Sequence, residues 1–194
     1  MPGKQAKILS DHQVRAALGY IDSLRYPEKY RAMFLLSCKA GLRAAEIAQL
    51  TWSMVTGPEG GLADVVEIRD DIAKNRSGRL IPMHRDLRAA LAALKESRRH
   101  IAPDDYLIPS ERGASMSAQT VTNWFFRLYR NLGFAGCSSH SGRRTFVTKA
   151  AKAVSKAGGS LRDVQQLAGH KHLQTTQRYI EGSTDAKRQI IDLI

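Results

Sequence analysis

Apolar residues recur at helical spacing through most of the chain, broken by one stretch of shorter period. Ser10 and Gln13 form a capping-box pair ahead of Val14, Ala17, Leu18 and Ile21, which share one helical face. Pro27 is placed to open a second helix, with Tyr30, Met33, Phe34, Leu35 and Leu36 turned inward and Gly41 at its end. A short helix over residues 43–50 is predicted directly after it. From Thr51 the period changes: Trp52 and Met54, then Val65, Val66 and Ile68, then Leu80 and Ile81 read as short strands. Turn formers separate them at Gly57-Pro58-Glu59-Gly60-Gly61 and at Asn75-Arg76-Ser77-Gly78. This predicts a small antiparallel sheet with Lys74 and Arg76 at a hairpin tip.

Helical period then returns. Leu87, Ala90, Leu91 and Leu94 give a helix that ends before Pro103. Ser117 or Ala118 starts another through Val121, Trp124, Phe125 and Leu128, with Gly133 just past its end. Ser139 is expected to cap a helix containing His140, Arg143, Phe146 and Val147, closed by Gly158-Gly159. Ser160 caps a short one through Leu161, Val164 and Leu167. The segment 183–194 bunches Ile190, Ile191, Leu193 and Ile194 at its end. With no internal repeat and no low-complexity linker, the expected fold is mainly α with a small antiparallel β-sheet (α+β), in one domain.

Charge narrows the partners. The chain carries 30 Lys and Arg against 18 Asp and Glu, a net of +12. Such a surplus concentrates polyanions around the surface, so nucleic acid is the first partner to consider. A membrane surface would call for a basic amphipathic helix or a lipid signal, and neither is evident. Cys38 and Cys137 stand far apart, outside any CxxC or finger spacing, which argues against a disulfide scaffold and a structural zinc. No apolar stretch marks a signal peptide at the N-terminus, and no apolar run is long enough for a membrane span. A reducing cytoplasm is the expected setting.

Basic and hydroxyl residues stand at separate places where a plain helix does not need them. Arg43 follows a glycine at a helix start, where a cation opposes the helix dipole unless an anion lies beside it. Lys74 sits on the hairpin, and His140 and Arg143 are spaced to share a helix face. His170 and His172 fall in a turn without an HExxH frame, which disfavours zinc, and Tyr179 follows. Taken singly, Arg43 and Lys74 read most simply as solvated side chains. Together the set is a kit for phosphoryl transfer. Guanidinium forks hold phosphate oxygens, a tyrosine hydroxyl attacks, and a lysine protonates the leaving oxygen.

The order and wording of these stretches resemble the tyrosine recombinase (phage integrase) family. AGLRAAEIAQL, residues 40–50, is similar to the family's first box, which implies Arg43 as the first catalytic arginine and Glu46 as a buried supporting acid. AKNRSGRLIP, residues 73–82, resembles the hairpin element and implies Lys74 as general acid. HSGRRTFVT, residues 140–148, resembles the HxxR box with His140 and Arg143. LAGHKHLQTTQRY, residues 167–179, resembles the closing box with His170 and the nucleophile Tyr179. Each box alone is a few degenerate positions; their joint order is what makes the resemblance specific. The chain departs from the family at Gly142, usually leucine, and at Arg144, often histidine. Arg144, Lys149, Lys152 and Lys171 are expected to meet phosphate or water.

The resemblance implies site-specific cutting and rejoining of double-stranded DNA through a 3′-phosphotyrosyl intermediate, with no metal, no cofactor and no small-molecule substrate. It also implies a homo-tetramer on two DNA sites, with residues 183–194 a candidate for exchange between protomers. The family's helical core-binding domain has no counterpart here, so residues 1–194 are expected to be the catalytic domain alone. The chain would then be a shortened form, or a natural short recombinase like those of fimbrial phase variation. A type IB topoisomerase-like activity and a non-enzymatic DNA-binding protein with the same fold are the alternatives.

Overall fold

Helix α2 (Pro27–Lys39) is buried on nearly every side, from Ala32 through Cys38, and the rest of the fold is arranged around it. In the computed structural model, which describes residues 5–111 and 114–179, α2 packs against α1 (Asp11–Asp22), α4 (Arg85–Glu96) and α6 (Ser141–Ala153). Helix α3 (Ala44–Gln49) packs on α5 (Ala118–Asn131). The sequence signals explain most boundaries. Ser10 accepts from the Gln13 N–H at 3.2 Å and the Gln13 side chain returns the bond at 3.0 Å. Pro27 occupies the first turn of α2, where its missing N–H costs nothing, and the Ser117 hydroxyl caps α5 at 3.0 Å. The terminal segment 183–194 lies outside the described residues.

The sheet is a single antiparallel pair, β1 (Val65–Ile68) and β2 (Arg79–Pro82), in register Val66 opposite Ile81 and Ile68 opposite Arg79. One expected strand is absent. Trp52 and Met54 are not in a strand but in a 3-10 turn, both buried, with only Thr51 bridging to Tyr106. Their alternation comes from a tight turn that pins Trp52 beneath the Arg98 guanidinium, 5.3 Å from the ring centroid. Leu80 is 62% exposed, and the inward positions of β2 are Arg79 and Ile81.

Two short helices, α7 (Leu161–Ala168) and α8 (Leu173–Gln177), complete the described fold. Ser160 and Asp163 form the capping box of α7, and Gly169, at φ 59°, ends it in the left-handed conformation. With α6 these helices enclose a small second core of Val147, Val164 and Ala168, onto which Tyr179 packs. No helix among the described residues is long and apolar enough to cross a membrane.

Candidate active site

Arg43 does not lie inside the first turn of α3; it is the extended residue just before it, at φ −79° and ψ 156°. Glu46, 1% exposed, reaches back to it. Its carboxylate accepts from the Arg43 backbone N–H at 2.9 Å and from Arg43 Nη1 at 2.8 Å. The same carboxylate accepts both terminal nitrogens of Arg79, at 3.1 and 3.0 Å. Burial alone raises the Glu46 pKa. The hydrogen bonds and charges of Arg79 and Arg43 outweigh it and hold the group below its ordinary 4.5. One buried anion thus aligns two guanidinium groups.

Arg79 was not among the residues singled out from sequence, yet it joins three of the four boxes. Its side chain is 5% exposed, and Nε donates to the Leu167 carbonyl at 3.0 Å. The signal was present in the strand period: if Ile81 faces inward, so does Arg79. Two adjacent apolar residues, Leu80 and Ile81, masked that alternation.

Arg143 sits in the first turn of α6, 5% exposed. Its Nη1 donates to the Gly41 carbonyl and its Nη2 to the Ala168 carbonyl, each at 2.6 Å, so the end of α2 and the end of α7 fix its fork. Gly41 is needed there: its φ is +66°, and a Cβ would lie 2.3 Å from the Phe146 ring. Burial first, then the charges of Arg43 and Arg79, lower the Arg143 pKa to about 9. It remains a cation at neutral pH, in a place where an anion would relieve the repulsion.

His140, not Ser139, is the cap residue of α6, and it stands exposed with Nδ1 3.5 Å from the Ser139 hydroxyl. His170 follows the left-handed Gly169. Its Nδ1 lies 2.9 Å from the hydroxyl of Thr176, a fully buried residue that sequence reading also missed. The His170 and Tyr179 rings stack with centroids 5.7 Å apart. Burial, then the charges of Arg143, Arg43 and Arg79, lower the imidazole to about 4, so it is neutral at pH 7. The unfolded chain protonates His170 near 6.5, whereas the folded chain resists down to about 4. The unfolded state therefore binds more protons in that window, and stability falls as pH is lowered through it. Between pH 6.5 and 4 the melting temperature of the wild type is expected to drop by more than that of His170→Gln, read by calorimetry at matched salt. Parallel curves would show that His170 is not held neutral.

The side chains surround two adjoining hollows. One, of about 360 Å³, is lined by His140, Arg143, Arg144, Thr175, Arg178 and Tyr179, with Gln5 and Ala6 at its edge. The other, of about 510 Å³, is lined by Arg43, Lys74, His170, Lys171 and His172 among others, and shares Thr175 with the first. All six sequence-predicted residues thus line one or the other of these two hollows, which meet at Thr175. Lys74 is exposed at the hairpin tip, where Asn75 and Arg76 both adopt positive φ, at 61° and 51°. Among the described residues, no group of three His, Cys, Asp or Glu side chains is placed to hold a metal ion.

Two of the basic residues expected to meet phosphate or water also have partners within the protein. Arg144 Nη1 donates to the Ala6 carbonyl at 2.8 Å, and Lys149 pairs with Asp11. With the Lys7 N–H on the Gly136 carbonyl and the Leu9 N–H on the Thr145 hydroxyl, Arg144 ties the segment before α1 along the rim of the tyrosine hollow.

A mostly helical domain that gathers two arginines, a lysine, two histidines and a tyrosine in this order has the make-up of a tyrosine recombinase catalytic domain. The chain belongs to the phage integrase family, whose model matches residues 7–185. It is 30% identical over 197 residues to tyrosine recombinase XerD of Vibrio cholerae serotype O1, covering 98% of this chain and 62% of that protein. It is 31% identical over 182 residues to XerD of Pseudomonas putida, covering 89% and 56%. The chain therefore spans less than two thirds of the length of these relatives. Its fold is also that of the XerA recombinase, with a TM-score of 0.75 at 23% identity over 100% of this chain and 65% of the other. The Tn1549 transposon integrase, solved in complex with transposon right end DNA, superposes with a TM-score of 0.78 at 20% identity over 100% and 67%.

Proposed function

We propose that the chain is a site-specific recombinase that cuts and rejoins duplex DNA without an external energy source. The observation that carries this reading is the pair of adjoining cationic hollows that hold Arg43 and His170 on one side and Arg143 and Tyr179 on the other, with a buried carboxylate behind Arg43. Tyr179 Oη attacks a phosphodiester and forms a 3′-phosphotyrosyl bond as the bond to the 5′ oxygen breaks. Arg43, Arg143 and His170 hold the non-bridging oxygens and the charge that grows on them. His140 assists in taking the tyrosine proton, and the Lys74 ammonium gives one to the departing 5′ oxygen. Attack by the 5′-hydroxyl of another strand reverses the step, so the phosphodiester bond energy is conserved in the covalent intermediate.

Double-stranded DNA is the substrate in this reading, with a homo-tetramer on two sites and residues 183–194 exchanged between protomers in a cytoplasmic setting. The net charge of +12 favours that partner, and so do the DNA complexes in which the similar integrase was solved. The test uses a pool of nicked duplexes whose cleaved end diffuses away, incubated with the chain in chelator and run on a denaturing gel. Covalent protein–DNA adduct is expected, and sequencing the trapped DNA names the site. Duplex binding with no adduct would favour the non-enzymatic alternative, and relaxation of supercoiled plasmid without strand exchange would favour a topoisomerase.

A further inference from the structure

Arg79 opens β2, directly behind the turn that carries Lys74. Every edge of its guanidinium is engaged: Nη1 and Nη2 on the Glu46 carboxylate at 3.1 and 3.0 Å, and Nε on the Leu167 carbonyl at 3.0 Å. Gly169 lies flat against it, and a Cβ at that position would come within 3.0 Å of Nη1. The Gly169 carbonyl faces the same turn, 3.4 Å from the Ser77 hydroxyl, which donates to the Lys74 carbonyl at 2.8 Å. Lys74 itself is exposed, and among the described residues its ammonium has no hydrogen bond or ion pair. The place of that ammonium is therefore decided by the backbone of the turn. The turn is in turn held in two consecutive left-handed residues by what anchors its ends.

We propose that Arg79 is a positioning residue for strand cleavage, holding the Lys74 hairpin in register with the tyrosine hollow through Glu46 and the Leu167 carbonyl. The assignment rests on the recombinase reading above. Arg43 does not depend on Arg79 in the same way, because its own bonds to Glu46, from the backbone N–H and Nη1, remain when Arg79 is removed. Loss of Arg79 therefore falls first on the proton delivered by Lys74, and reaches the phosphate grip only through the Leu167–Gly169 backbone that also accepts from Arg143 and Arg43. In the cleavage step the P–O5′ bond breaks and the Lys74 proton goes to the 5′ oxygen. If sulfur replaces that bridging oxygen, the leaving thiolate is weakly basic and needs no proton, so the step no longer depends on where Lys74 stands.

The experiment measures the rate of adduct formation by the wild type, Arg79→Gln and Arg79→Lys. The DNA is a nicked duplex trapped from the pool, made with oxygen or with sulfur at the scissile 5′ position. Arg79→Gln is expected to slow cleavage by about 10²-fold on the oxygen substrate, the scale of a roughly 1 Å misplacement, and by less than about tenfold on the sulfur substrate. Arg79→Lys keeps a cation beside Glu46 but has no fork to reach Leu167. It is expected to melt near the wild type while keeping the oxygen-specific defect, and it decides the matter if Arg79→Gln does not fold. Equal slowing on both substrates, unchanged rates, or parallel recovery of melting and cleavage in Arg79→Lys would each overturn the role. If the wild type forms no adduct, the recombinase reading itself falls, and this role with it. Wild-type adduct with undiminished Arg79 variants removes Arg79 alone.

Discussion

Tyr179→Phe is expected to bind duplex DNA and melt as the wild type does, and to form no covalent adduct. The substitution removes one oxygen and little else. The ring keeps its stacking on His170, with centroids 5.7 Å apart, and its packing on Val147, Val164 and Ala168. Its backbone N–H still donates to the Thr176 carbonyl at 3.0 Å. Among the described residues no hydrogen bond depends on the phenolic oxygen, so no buried partner is orphaned. The cationic side chains around Tyr179 are also unchanged, which on the proposed reading preserves the electrostatic part of DNA affinity. Losing the nucleophile of a covalent enzyme costs on the order of 10⁴–10⁶ in rate, so the adduct band should fall to background on a denaturing gel. Persistent adduct in Tyr179→Phe would mean that another group attacks and that the pocket has been assigned to the wrong step.

The second large effect is on stability. Glu46→Ala strips the shared counter-charge from Arg43 and Arg79, the latter only 5% exposed. Removing one partner of a buried ion pair costs about 3–5 kcal/mol, because the remaining charge is left without solvent or partner. For a chain of 194 residues that corresponds to a fall in melting temperature of about 6–20 °C. Glu46→Gln keeps the shape and one acceptor oxygen but turns an amide N–H2 toward the donors that the other oxygen accepted, so its loss should be smaller only by the cavity that alanine leaves. Thermal unfolding of both variants checks this, and equal, small shifts would show that the two arginines find adequate hydration once the carboxylate is gone.

Much of this was legible before any coordinates. Helical period located α1, α2, α4, α5 and α7 because each presents one apolar face to a common core, and residues such as Ser10, Ser117 and Ser160 mark starts by satisfying N–H groups the helix cannot. The candidate site residues were picked out by the joint order of their boxes, and the fold places them around two adjoining hollows. What escaped was polar burial. Arg79 looks like a solvated turn residue because its reason for being inside, the Glu46 carboxylate, lies 33 positions away in sequence. Thr176 is hidden for the same reason: only the folded chain brings its hydroxyl to His170. The Trp52–Met54 stretch failed differently, since an apolar residue at every second position fits a strand and also a single tight turn over a core. The bond from Arg144 to the Ala6 carbonyl was likewise hidden, since no side-chain pattern announces a backbone partner.

The departure from the family at Gly142 has a consequence for how this domain can drift. A Cβ at that position would lie 2.3 Å from the Ser37 hydroxyl oxygen and 2.9 Å from the Cys38 sulfur, so α6 crosses α2 almost backbone to backbone. One residue on, Arg143 spans from α6 to the Gly41 carbonyl at the end of α2 in 2.6 Å. A leucine at 142 would wedge the helices apart and stretch that span unless positions 37 and 38 shrank or shifted with it. Residues 37, 38 and 142 therefore constrain one another: a larger residue at 142 is admitted only with compensating change at 37 and 38, and without it the setting of Arg143 against Gly41 shifts.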